Sequence, residues 1–194
     1  MANRDNHYEA AFEAFLRARQ IPYVAVDEAK RTLAVDGSIK SLDFIVSPPG
    51  ACSWLVDVKG RKFPGGEEQK QYWKNWTERE DLLSLARWQE LFGESFVAAF
   101  VFAYHILEDR APLPADELFT FRGAQYGFLA IGLGDYARNA RPISESWDTV
   151  AMPTVAFRQL ALSVPALIEG RCVLEAPPHG LPIQPPASPE APFD

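Results

Sequence analysis

Cysteine is scarce: Cys52 and Cys172 are the only two in 194 residues, far apart and with no histidine or second cysteine beside them. That excludes a disulfide framework and a thiolate zinc site, so both read as small hydrophobic residues. A run of about 18 apolar residues, the length that crosses a bilayer, is also missing. The first residues, MANRDNHYEAAFEAF, carry charges where a signal peptide needs its apolar stretch. The expectation is a cytoplasmic protein without a membrane partner. A basic surplus is absent as well, since the net charge is -7, which argues against a general coat for nucleic acid. No internal repeat is present.

The charge is unevenly spread. Residues 1 to 90 hold 13 of the 19 Lys and Arg against 14 acids, and the remainder holds 6 against 12. An anionic ligand is therefore expected to meet the N-terminal half. With 47% hydrophobic and 23% charged residues, the composition fits one globular domain. That domain is expected over residues 1–176, with a core over 7–106 and an extension over 107–176. The tail from Pro177 to Asp194, PPHGLPIQPPASPEAPFD, has too few large apolar residues to pack and is expected to be disordered.

HYEAAFEAFLRAR, residues 7–19, contains no Gly or Pro and repeats Tyr8, Phe12, Phe15 and Leu16 at helical spacing. IPYVAVD reads as a strand and EAKRTLAVDGS as a charged turn region. SLDFIV and SWLVDVKG form the arms of a hairpin around SPPGA. Residues 67–92 lack both breakers and read as one long helix or two, stopped by Gly93. ESFVAAFVFAYHIL reads as a buried strand. The order is αβββαβ, an α/β fold with a mixed sheet flanked by helices. In the extension, LFTFRGAQYGFLAIGL alternates like a second hairpin. YARNARPISESWDTVAMP is expected to be loop, and TVAFRQLALSVPALIEG has helical spacing interrupted by Pro165.

The first hairpin raises a chemical question. With a turn centred on Gly50, facing residues sum to 100, which sets Phe44 against Val56, Val46 against Trp54 and Asp43 against Asp57. Ile45, Leu55 and, diagonally, Lys59 share the aspartates' side. Opposed carboxylates destabilise a strand pair. Their compensation is a shared divalent cation, or Lys59 as counter-ion.

These residues resemble the PD-(D/E)xK nuclease superfamily, in which an acid on the first helix, an Asp on the second strand and D/E-x-K on the third share a restriction-endonuclease-like αβββαβ core. The matching positions are Glu9 or Glu13, Asp43, and Asp57-Val58-Lys59. Leu42 stands where the family's motif has its proline. The spacing is similar to that of archaeal Holliday-junction resolvases, and HYEAAFE resembles the N-terminal signature of the bacterial HYExAFE family.

The resemblance implies a nuclease that hydrolyses phosphodiester bonds in DNA, in repair or recombination, with Mg²⁺ or Mn²⁺ as cofactor. It implies Asp43, Asp57, the Val58 carbonyl and the helix acid as metal ligands, with Lys59 orienting the attacking water or stabilising charge. Glu9 lies three and seven residues before Phe12 and Leu16, on the face packed against the sheet, and is favoured over Glu13. Arg61, Lys62, Gln69 and Lys70 are expected to line a groove for backbone phosphates, and His7 to contact a phosphate. Trp73, Trp76 and Trp88 read as core residues rather than as stacking surfaces for bases. A homodimer is a further implication. The alternatives are a catalytically silent nucleic-acid- or protein-binding module with the same fold, and a structural domain whose hairpin charges Lys59 and Lys40 satisfy.

Overall fold

The computed structural model describes residues 6–26, 32–34, 37–65, 73–107, 111–144 and 148–175. Asn6 caps the first helix, α1 (His7–Ala18), by accepting the Tyr8 N–H at 3.1 Å, and α1 buries Ala11, Phe12, Phe15 and Leu16. Next come β1 (Tyr23–Ala25), β2 (Thr32–Ala34), β3 (Gly37–Ile39), β4 (Phe44–Val46) and β5 (Ser53–Phe63). The short strand β6 (Thr77–Glu78) leads into α2 (Arg79–Phe92), which Gly93 ends with φ of 74°, and then β7 (Phe96–Ile106) crosses the molecule.

The extension begins with β8 (Phe119–Phe121) and β9 (Ala124–Gly132), an antiparallel hairpin as expected. It continues through α3 (Leu133–Asn139), β10 (Arg141–Ser144), β11 (Thr149–Ala151), α4 (Thr154–Leu160), β12 (Leu162–Ser163) and α5 (Val164–Ile168).

The main sheet runs β1-β4-β5-β7-β9, and β8 and β12 share the far side of β9. All its pairs are antiparallel except β5 with β7, which are parallel and joined through α2. A parallel pair needs such a crossover. The elements α1, β1, β4, β5, α2 and β7 thus follow the αβββαβ order of the restriction-endonuclease-like arrangement expected from the sequence, with a hairpin and helices appended.

Side-chain alternation along β5 and β7 separates two cores. Trp54, Val56, Val58, Val97, Ala99 and Val101 pack with α1 and α5 on one face. Leu55, Phe63, Phe100, Phe102 and Tyr104 pack with α2, α3 and α4 on the other. Both cores contain residues of the extension, among them Phe128 and Phe157.

Four expectations are corrected. Of the one or two helices foreseen over 67–92, the part over 67–72 lies outside the described residues, and the described helix starts at Arg79, because Thr77 and Glu78 pair with β11. That pairing partner lies about 70 residues downstream, where helix propensity carries no information. The charged turn region holds the β2–β3 hairpin. The stretch expected to be loop, 136–153, holds the end of α3 together with β10 and β11. The last helical stretch is two helices separated by β12, which pairs with β9, and Ser163 caps the second by accepting the Ala166 N–H. The tail from Pro177 lies outside the described residues. Among those residues no helix is long and apolar enough to cross a membrane.

One edge bears on the site. Main-chain groups of Val56 and Val58 point towards β4, but β4 reaches only to Phe44, opposite Val56. From Asp57 to Phe63 no strand pairs this side of β5 among the described residues.

Candidate active site

The hairpin register is the one that a turn on Gly50 requires: Phe44 pairs with Val56, Ile45 with Leu55 and Val46 with Trp54. Gly50 itself has φ of 71°, a conformation open to glycine. Continued by one residue, the register sets Asp43 across from Asp57, and both are buried. The Asp43 N–H still donates to the Val56 carbonyl at 2.9 Å. Its side chain then takes over from the departing strand, as Oδ2 accepts the Val58 N–H at 2.6 Å. Leu42, the residue before Asp43, is buried in the α2-side core.

Where β4 ends, a cavity of about 350 Å³ opens, lined by Asn6, Glu9, Lys40, Ser41, Asp43, Asp57, Val58, Lys59 and Asp81. Glu9 reaches it from α1, and its Oε1 accepts a hydrogen bond from Asn6 Nδ2. The Asn6 side chain therefore both caps α1 through its oxygen and holds the glutamate in place through its amide nitrogen. Glu13 is absent from the lining. It accepts from Arg17 at 2.6 Å and from the Tyr23 hydroxyl at 2.8 Å.

Lys59 Nζ lies 2.9 Å from Asp57 Oδ1 and 2.7 Å from Asp81 Oδ2. Asp81 also binds Lys40 Nζ at 2.6 Å and accepts from Thr77 Oγ1 at 3.0 Å. Sequence reasoning considered Lys40 only as a counter-ion and missed Asp81, Asn6 and Ser41. A signal for Asp81 exists, since it shares the buried helical face of Leu82, Leu85, Ala86 and Gln89, and a carboxylate there needs a cation.

Burial is the largest influence on Asp57 and pushes its carboxyl up to about 6, against the pull of Lys59 and with the repulsion of Asp81 added. For Lys59 burial opposes the charge, but Asp57 and Asp81 outweigh it and hold the ammonium above its ordinary value. Burial likewise works to raise Asp81, yet Lys59 and Lys40 hold it below the usual carboxylate range. The rise at Asp57 and the rise at Lys59 pull in opposite senses across one ion pair. The consistent account is that Lys59 stays charged and is shared, and Asp81, with two lysines, claims the larger part. Asp57 is left with incomplete compensation.

The cavity's described lining sets four carboxylates, those of Glu9, Asp43, Asp57 and Asp81, beside the two ammonium groups of Lys40 and Lys59. Its donors are hard oxygens, the class that Mg²⁺ and Mn²⁺ take, and an undercompensated buried carboxylate is relieved by a cation. Among the described residues, however, no three His, Cys, Asp or Glu side chains stand close enough to form a preformed metal-binding group. The Lys59 ammonium lies between Asp57 and Asp81. The residues fit the metal in chemistry and charge, and the side chains must turn towards it.

Of the foreseen phosphate-contacting residues, the described ones, His7, Arg61 and Lys62, are not part of the cavity lining. His7 is exposed, with Nδ1 2.8 Å from the Tyr126 hydroxyl. Lys62 is exposed on the α1 side, Arg61 stacks on Trp76 on the other side, and Gln69 and Lys70 lie outside the described residues. Trp73 and Trp88 pack against aromatic neighbours as expected. Trp76 does not, being 39% exposed.

No protein-family model matches the chain, and no curated protein matches it. Among solved structures, Hjc, a Holliday junction resolvase from the archaeal hyperthermophile Archaeoglobus fulgidus, superposes with a TM-score of 0.49 at 11% identity, covering 84% of this chain and 98% of its own. A likeness of that size carries neither a role nor a residue to this chain.

Proposed function

We propose that the protein is a cytoplasmic, divalent-metal-dependent phosphodiester hydrolase acting on DNA in repair or recombination. The observation that carries this reading is the convergence of Glu9, Asp43, Asp57, Val58 and Lys59, from the first helix and both arms of the hairpin, on one cavity. Glu9, Asp43, Asp57 and the Val58 carbonyl would hold Mg²⁺ or Mn²⁺. Bound there, the ion supplies polarisation of a phosphoryl oxygen and a more acidic water.

Lys59, held protonated by two carboxylates, is no general base. It acts as a fixed cation that orients the attacking water or stabilises charge on the phosphoryl group. Asp81 is its anchor. Were the Asp57 oxygens to turn to a metal, Asp81, itself held by Lys40, would still fix the position of Nζ.

The ion pairing itself favours a second reading, in which Lys59 and Lys40 satisfy the carboxylates and the domain only binds nucleic acid or protein. Calorimetric titration of Mn²⁺ into wild type and Asp57→Ala separates the two, with the same samples assayed on linear, flapped and four-way-junction DNA. We expect metal binding and cleavage in wild type, both lost in the variant. Absence of Mn²⁺ binding in wild type, with or without DNA, sinks the hydrolase. Because protons compete for Asp57, Mn²⁺ affinity should also fall steadily below pH 6.

A further inference from the structure

Trp76 differs from the other described tryptophans. Trp54 is buried, Trp73 packs among Phe63, Tyr104 and Phe157, and Trp88 donates its indole N–H to the Lys40 carbonyl. Trp76 instead leaves 39% of its surface exposed, and its close neighbour is a cation. The Arg61 guanidinium carbon lies 3.9 Å from the ring centroid. Arg61 is fixed there: Nη1 donates to the Gly60 carbonyl at 2.6 Å, Nη2 donates to the Trp76 carbonyl, and the Phe102 ring lies 6.0 Å away. Among the described residues Arg61 has no ion-pair partner, and its buried Nε has no hydrogen-bond acceptor.

A guanidinium against one face of an indole draws on its π electrons. The exposed part of the indole becomes a better partner for an electron-rich nucleobase, and the guanidinium charge attracts the phosphate beside that base. The placement fits as well. Arg61 is two residues beyond Lys59 on the same side of β5, about 6.6 Å along the strand. Thr77, next to Trp76, donates to the carboxylate that holds Lys59.

We propose that Trp76, backed by Arg61, is a stacking platform for one unpaired nucleobase at the rim of the cavity. The substrate class is then DNA with a single-stranded segment beside the scissile phosphate, since bases within a continuous duplex are already stacked on each other. This rests on reading the cavity as a phosphodiesterase site.

The test is fluorescence anisotropy of a labelled single-stranded oligodeoxynucleotide and of the blunt duplex of the same sequence, with Ca²⁺ as the metal. Wild type should prefer the single strand. Trp76→Ala should weaken single-strand binding by about 5- to 100-fold, the range one base–aromatic stack carries, and leave duplex binding within about twofold. Trp76→Phe should recover most of the loss, which a merely misfolded protein would not do. Equal weakening on both forms, or no change in Trp76→Ala, overturns the platform and leaves the hydrolase standing. If wild type binds neither form, the platform falls together with the nucleic-acid reading.

Discussion

Asp57 is a carboxylate kept in a place that does not suit its charge, and that has a measurable cost. Its folded-state pKa of about 6 lies above the ordinary 3.8. The folded state therefore holds the extra proton between those values, and stability falls as pH rises through this window. Asp57→Asn removes the penalty. At pH 7.5 urea denaturation should find the variant more stable by about 1–3 kcal/mol, since each pKa unit is worth about 1.4 kcal/mol. The advantage should shrink below pH 6 and be gone near pH 4. A variant less stable than wild type at pH 7.5 would mean that the Lys59 pair outweighs burial. A group that weakens the fold but sits in a cavity with other carboxylates is a candidate for function.

At the scale of elements, the placement of α1 decides whether Glu9 reaches the cavity, and a single glycine makes that placement possible. A Cβ on Gly60 would lie 2.1 Å from the Tyr8 ring, so α1 rests on β5 where the strand has no side chain. Gly60→Ala should cost about 1–3 kcal/mol by overpacking. It should also weaken Mn²⁺ binding through the displaced Glu9. In a Tyr8→Ala background the same change should cost far less, a non-additivity that thermal denaturation of the four proteins would read.

The elements also show what was legible beforehand. The hairpin register followed from a turn centre and period-two alternation, both local, and so Asp43, Asp57 and Lys59 could be set on one side. Helix α1 and strand β7 were equally local in origin. Strands β6, β11 and β12 exist because distant partners receive them, and their short sequences hold no pattern of their own. Asp81 was missed for a related reason: its significance depends on Lys59 and Lys40 arriving from other elements. Trp76 lies in a breaker-free run that looks helical, and only the β6 pairing shows that helix α2 begins after it.

For the whole molecule, the central sheet separates two cores, and the cavity lies where β4 stops, with Glu9 reaching it from the first helix and Asp81 from the second. The same stop leaves one side of β5, from Asp57 to Phe63, without a strand among the described residues. Such an edge is a template for the next molecule, and intermolecular sheet growth begins at places like it. Here two side chains occupy the positions that another chain would use, Asp43 on the Val58 N–H and Arg61 on the Gly60 carbonyl. Asp43→Ala would strip the edge as well as the cavity. Light scattering of concentrated samples should then show aggregation that Asp43→Asn, which keeps an acceptor for Val58, does not. The residue that would ligate a metal thus also acts as a guard against self-association, and a soluble Asp43→Asn protein is the one in which lost activity speaks for chemistry.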